Sequence, residues 1–169
     1  MISKNDIGIF SIARLSSKRL KKKMIRKFSN TTLTDIVLSK LSKLGKNAFF
    51  AGYENIFRKK SIKYNVRFVQ RSKLSAISNN SYAQIFSFLK NENYKYLLLI
   101  NPCMPNLRVS TIKKFIQKVQ KLNGPAFAVF VEKNNFLSKK NVPLNFKKLK
   151  KSETLDTKKV KSIKSFAHI

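Results

Sequence analysis

Tryptophan is absent from this 169-residue chain, and cysteine, histidine, glycine, proline and acidic residues are scarce. The single cysteine, Cys103, makes no internal disulfide and no zinc site, which fits a reducing compartment. It lies near Pro102 and Pro105 with no base at hand, so it reads as a buried, inert thiol. The single histidine, His168, lies one residue from the end and leaves no material for a histidine-based metal or catalytic site. Four glycines leave little for a phosphate-cradling loop, and no P-loop, dinucleotide fingerprint or nucleophile elbow is present. The seven acids are Asp6, Asp35, Glu54, Glu92, Glu132, Glu153 and Asp156. None pair at a short metal-binding spacing outside the charged tail, so the clustered carboxylates of a two-metal nuclease are missing. The expectation is a protein that is not an enzyme, with no catalytic residues, no metal, no cofactor and no small-molecule substrate. No apolar run approaches the ~18–20 residues of a transmembrane helix. The longest near-candidate, residues 94–100, is strand-sized.

What is abundant is positive charge. Lysine and arginine number 37, giving a formal net charge of +30. A compact chain so charged repels itself and calls for a polyanion. Hydrophobic residues make up 43%, with 14 Phe and 5 Tyr, so a packed core is expected rather than a disordered basic tail. Lysine outnumbers arginine 30 to 7, and Asn, Ile, Phe and Ser are common, a bias typical of AT-rich coding in organelle genomes and some parasites. The Ser-, Lys- and Arg-rich start resembles a mitochondrial presequence, and Met1 heads it. It therefore reads as a retained extension of an organelle-encoded or uncleaved protein of the mitochondrial matrix.

Three segments follow from composition. Residues 1–30 read as a basic N-terminal extension, residues 31–137 as an α/β globular RNA-binding domain, and residues 138–169 as a lysine-rich C-terminal tail with at most one short helix. In the first, Arg14, Lys18, Arg19, Lys21, Lys22, Lys23, Arg26 and Lys27 form an acid-free run suited to phosphate contact. With Leu15, Leu20, Met24 and Ile25 on one side, the same run could also lie on an anionic membrane as an amphipathic helix. In the tail, ten lysines, among them Lys147, Lys148, Lys150 and Lys151, face two acids.

The middle segment alternates elements. Thr32 and Asp35 open a helix over 33–44, with Leu33, Ile36, Val37, Leu41 and Leu44 at helical spacing and Gly45 as its stop. Residues 47–53 (NAFFAGY) read as a buried strand, 55–62 as a helical turn and 65–70 (NVRFVQ) as a strand. Tyr82, Ile85, Phe86 and Leu89 mark a second helix, and 94–100 (YKYLLLI) a strand broken by Pro102 and Pro105. Ser110 is expected to cap a helix whose Ile112, Phe115, Ile116, Val119 and Leu122 share one face. Gly124 and Pro125 end it before a strand over 126–131. Alternation of this kind predicts an α/β fold, a small mixed sheet with packed helices and basic extensions at both ends. Tyr64, Phe68 and Tyr82 read as core aromatics, with base stacking as the alternative.

The element order over 33–137 resembles the stalk-base protein of the large ribosomal subunit, the L-ten/P-zero family. Residues 49–53 resemble that family's tyrosine-ended first strand, Phe57 and Arg58 its Leu-Arg pair, and residues 66–74 (VRFVQRSKL) its strand and turn. Residues 94–100, 111–122 and 127–131 follow in the family's order. Gln70 and Arg71 stand where the family has Lys-Asn, and the Gly-Pro that opens its third strand is absent before Tyr94. The resemblance implies a structural constituent of a mitochondrial ribosome that grips ribosomal RNA through Arg58, Arg71 and Lys73 beside an L-eleven-type neighbour. The lysine-rich tail stands where the family carries its helix for L-seven/L-twelve-type stalk proteins. Alternatives are a different, small-subunit ribosomal protein, a nucleoid or membrane-surface protein, and a degenerate RNA-processing enzyme.

Overall fold

The computed structural model describes residues 2–17, 19–78, 81–132, 136–140, 142–145 and 161–166. The chain divides into two units, Met1–Ala126 with Ile169, and Phe127–His168. The first is an α/β layer fold, as the alternation predicts. Its sheet has four strands, all parallel, in the order β3-β2-β1-β4.

The central strand, β1 (Ile7–Ile12), falls inside the span expected to be a basic arm. It pairs with β2 (Ala48–Gly52) through Ile9 and Ala48 on one side and with β4 (Tyr96–Leu99) through Ile7 and Tyr96 on the other. Sequence reasoning passes over it because six residues, IGIFSI, stand beside a run of eight cations. A strand covered on both faces shows no polar alternation, only a short apolar run. Gly8 permits close packing: a Cβ there would run into the Tyr94 ring.

β1 leads through α1 (Leu33–Leu41) to β2, and β2 leads through α2 (Asn55–Lys63) to β3 (Arg67–Gln70). Thr32 caps α1 by accepting the Asp35 N–H, as its sequence predicts. One face of the sheet presents Ile7, Ile9, Ala48 and Phe50 to Val37, Leu38 and Leu41 of α1 and Phe57 of α2. After β3 the chain must return past β1 to reach β4. A right-handed connection does this only over the opposite face. There lie α3 (Lys73–Ile77), α4 (Tyr82–Ile85) and a 3-10 turn, Ser87–Asn91. Phe86, Phe88 and Leu89 of this stretch cover Phe10, Phe49 and Ala51. α5 (Val109–Leu122) then packs Ile112 and Ile116 against the first face. It begins after Arg108, so Ser110 stands inside its first turn rather than at its cap. Phe49, Phe50 and Phe57 are fully buried, each contributing about 2–3 kcal/mol of apolar transfer. Of the three aromatics noted in the sequence, Tyr64 and Phe68 pack on the core, whereas Tyr82 is exposed and stacks on Phe86.

In the second unit β5 (Val129–Glu132) pairs antiparallel with β6 (Ile163–Phe166). Asn145 accepts the Phe136 N–H and donates to the Lys161 carbonyl. In the span read as a lysine-rich tail with at most one short helix, the described residues include this strand.

Candidate functional site

The strand order reverses direction at β1. The chain moves outward from β1 to β2 and β3, then jumps back to place β4 on β1's other side. In parallel α/β sheets the crevice at the carboxyl ends of such strands is where ligands sit, because the two departing loops diverge there. Here those loops are residues 13–32 after β1 and residues 100–108 after β4. Ser11 donates its hydroxyl to the Ile100 carbonyl at 2.8 Å, fully buried, and ties the two strand ends together.

The first loop is held at several points. The Leu15 N–H donates to Glu54 Oε1 at 2.8 Å, at the start of α2. Thr34 donates to the Met24 carbonyl at 2.6 Å, and Met24 itself is buried. Arg14 Nη1 donates to the carbonyls of Ala76, Ile77 and Ser78 at the end of α3. Beneath it lies Arg71, only 3% exposed, at the carboxyl end of β3. Its guanidinium donates to the Ser75 hydroxyl and carbonyl and to the carbonyls of Ile85 and Ala13, so one side chain joins the start of the loop after β1 to α3 and α4. Burial, and then the neighbouring Arg14 charge, push it down to about 10, against the opposing pull of Glu54. On the second loop, the Lys40 ammonium donates to the carbonyls of Met104 and Pro105 at 2.8 and 2.7 Å. Burial lowers its pKa.

Between the first loop and the end of α3 opens a cavity of about 540 Å³. Arg14, Leu15, Ser16 and Ser17 line it together with Lys21, Lys22 and Ile77. That volume suits a small molecule rather than a helix of nucleic acid. Three basic residues, two serines and no acid line it, but the surface it presents is mostly apolar, and the Arg14 guanidinium is already turned to the carbonyls at the end of α3. Lys22 holds φ at 54°, the left-handed region, where a side chain other than glycine is strained.

The basic residues singled out in the sequence thus separate. Arg14, Lys21 and Lys22 meet at the cavity. Arg19, Arg26 and Lys27 are exposed beside it along the loop, and Lys23 is half-buried. Arg71 is a buried strut rather than a surface contact, while Arg58 and Lys73 are exposed on α2 and α3. Lys18, Lys147, Lys148, Lys150 and Lys151 lie outside the described residues. Cys103 is exposed rather than buried, in the loop after β4. Sequence reasoning misses Ser16, Ser17, Glu54 and Lys40. The available signal is the run Ile7–Ile12 leading directly into the cations: a strand followed by a basic loop.

The sequence matches no family model and no curated protein. Its fold does match solved structures. A cytidylyltransferase from Leptospira borgpetersenii superposes with a TM-score of 0.59 at 17% identity, over 78% of this chain and 56% of that one. A CMP:2-keto-3-deoxy-manno-octonic acid synthetase complexed with CTP gives 0.57 at 12%, over 73% and 50%. A 4-diphosphocytidyl-2C-methyl-D-erythritol synthase from Anaerococcus prevotii gives 0.57 at 13%, over 97% and 69%. At these identities the likeness establishes the fold. The chain spans about half the length of the first two.

This likeness corrects the reading of the chain as an L-ten/P-zero-type ribosomal protein. The expected ribosomal RNA and L-eleven-type partners, the exclusion of a small-molecule substrate and the exclusion of enzymatic function go with it. The small-subunit, nucleoid and membrane-surface alternatives are not supported either. The physical reasons are two. Strand-helix order from residue 33 onward is common to many α/β layers, and the distinguishing element, β1, precedes that span. A missing carboxylate cluster also does not exclude phosphate chemistry, because lysine, arginine and hydroxyl donors can handle phosphate groups.

Proposed function

We propose that this chain is a nucleotide-transferring domain of cytidylyltransferase type, which binds CTP at the carboxyl end of β1. The observation that carries the reading is the 540 Å³ cavity walled by Arg14, Ser16, Ser17, Lys21 and Lys22 at the strand reversal. It is supported by a fold shared with a synthetase solved with CTP. In such a reaction an acceptor oxygen bonds to the α-phosphorus, the bond from that phosphorus to the bridging oxygen breaks, and pyrophosphate leaves. In this reading Lys21 and Lys22, which line the cavity, offset the charge that grows on the leaving group. Arg71 and Glu54 act through the loop backbone, holding Ala13 and Leu15 in place. Thermal unfolding with each of the four ribonucleoside triphosphates tests the reading. CTP is expected to raise the midpoint more than the others, through preferential binding to the folded state. No shift with any nucleotide would sink it.

A further inference from the structure

α1 holds both of the loops that diverge at the strand reversal. Near its start the Thr34 hydroxyl, fully buried, donates to the Met24 carbonyl of the first loop at 2.6 Å. Roughly 9 Å further along the helix axis, the Lys40 ammonium donates to two carbonyls of the second loop, those of Met104 and Pro105. Val37, Leu38 and Leu41 bury the helix against the sheet, which makes it a fixed reference for both loops. The second loop has few means of holding itself. Residues 101–108 read NPCMPNLR, and Pro102 and Pro105 bring no N–H. Its own bonds are short turns: the Cys103 N–H to the Asn101 side chain, the Met104 N–H to the Asn101 carbonyl and the Leu107 N–H to the Met104 carbonyl. The ammonium that grips it is half-buried, and no carboxylate pairs with it among the described residues. Burial of an unpaired charge is unfavourable, and a methionine of similar length would fill that space without the penalty. The two carbonyl bonds are what the charge supplies in return.

We infer that Lys40 is a positioning residue, which holds the loop after β4 as the second side of the nucleotide site at a spacing from the first loop set by α1. The inference rests on the nucleotide reading above and adds which segment faces the nucleotide across the strand reversal. Lys40 touches no ligand in this arrangement. It acts through the Met104 and Pro105 carbonyls, as Glu54 and Arg71 act through the backbone of the first loop.

Cys103, exposed in this loop and the only cysteine of the chain, reports on it directly. Its rate of alkylation by iodoacetamide, followed by mass spectrometry on the full chain, is measured with and without saturating CTP. In the wild-type chain CTP is expected to slow the reaction on the order of threefold or more, because the nucleotide settles the loop. Lys40→Met, checked for folding by circular dichroism, is expected to react faster than wild type without CTP and to lose most of the protection with it. Lys40→Arg, which restores a cationic donor, is expected to bring both rates back toward wild type. A folded Lys40→Met chain with unchanged rates would overturn the inference and leave the nucleotide pocket standing. So would a wild-type chain whose thermal midpoint rises with CTP while Cys103 reacts as before, a result that needs no variant to fold. A wild-type chain that shows no thermal shift with any nucleotide would overturn both.

Discussion

Lys22 shows how much one residue can hold in tension. Its left-handed backbone is a conformation that glycine adopts freely and lysine does not. Lys22→Gly is expected to stabilise the fold by about 0.5–1 kcal/mol and to weaken CTP binding, because the strain is relieved and the ammonium lost together. Urea denaturation beside calorimetry reads both changes. Asp35 offers a second test. Burial alone would raise its carboxyl, but the Lys60 ammonium and the Thr32 hydroxyl outweigh it and hold the pKa below the ordinary value. The folded state therefore binds this proton less readily than the unfolded one. The stabilisation is full above about pH 4 and fades as the pH falls through the lowered value. Lys60→Met is expected to cost about 1 kcal/mol at neutral pH and to flatten this acid-side decline, measured by urea midpoints across a pH series.

At the scale of elements, legibility in the sequence follows periodicity. α1, α2, α5, β2, β3 and β4 are readable from their apolar spacing and their capping or breaking residues, such as Thr32 at α1 and Pro102 after β4. β1 is not, because charge in its neighbourhood outweighs six apolar residues in any composition window. That omission also hides the site: cations that read as an arm are the loop leaving the central strand. Arg71 deceives in the opposite sense. A basic residue in a turn looks like a surface contact, and only the fold reveals that four acceptors surround it. The tight fit of β1 is itself testable. Gly8→Ala would press a methyl group against Tyr94, whose ring is stacked 6.2 Å from that of Phe49. Overpacking there is expected to cost about 1–3 kcal/mol, seen as a lowered urea midpoint.

For the whole molecule, the charge of +30 changes in meaning. It calls for anions, as the composition implies, and three of its cations, Arg14, Lys21 and Lys22, line one cavity at the strand reversal. The remainder is a mutual repulsion that salt should relieve. Raising sodium chloride from about 0.02 to about 0.3 M shortens the Debye length from roughly 20 to 6 Å and is expected to raise the thermal midpoint. A flat or falling midpoint would show that repulsion does not limit this fold. The position of β1 has a further consequence, for how the chain is built. Among the four strands of this sheet β1 is synthesised first, yet its pairing is completed last, since Ile7 meets Tyr96 only after some ninety intervening residues exist. Until then one row of its backbone donors and acceptors stands open. The order of strands thus makes the nascent chain most vulnerable to mispairing at the strand on which its finished site depends.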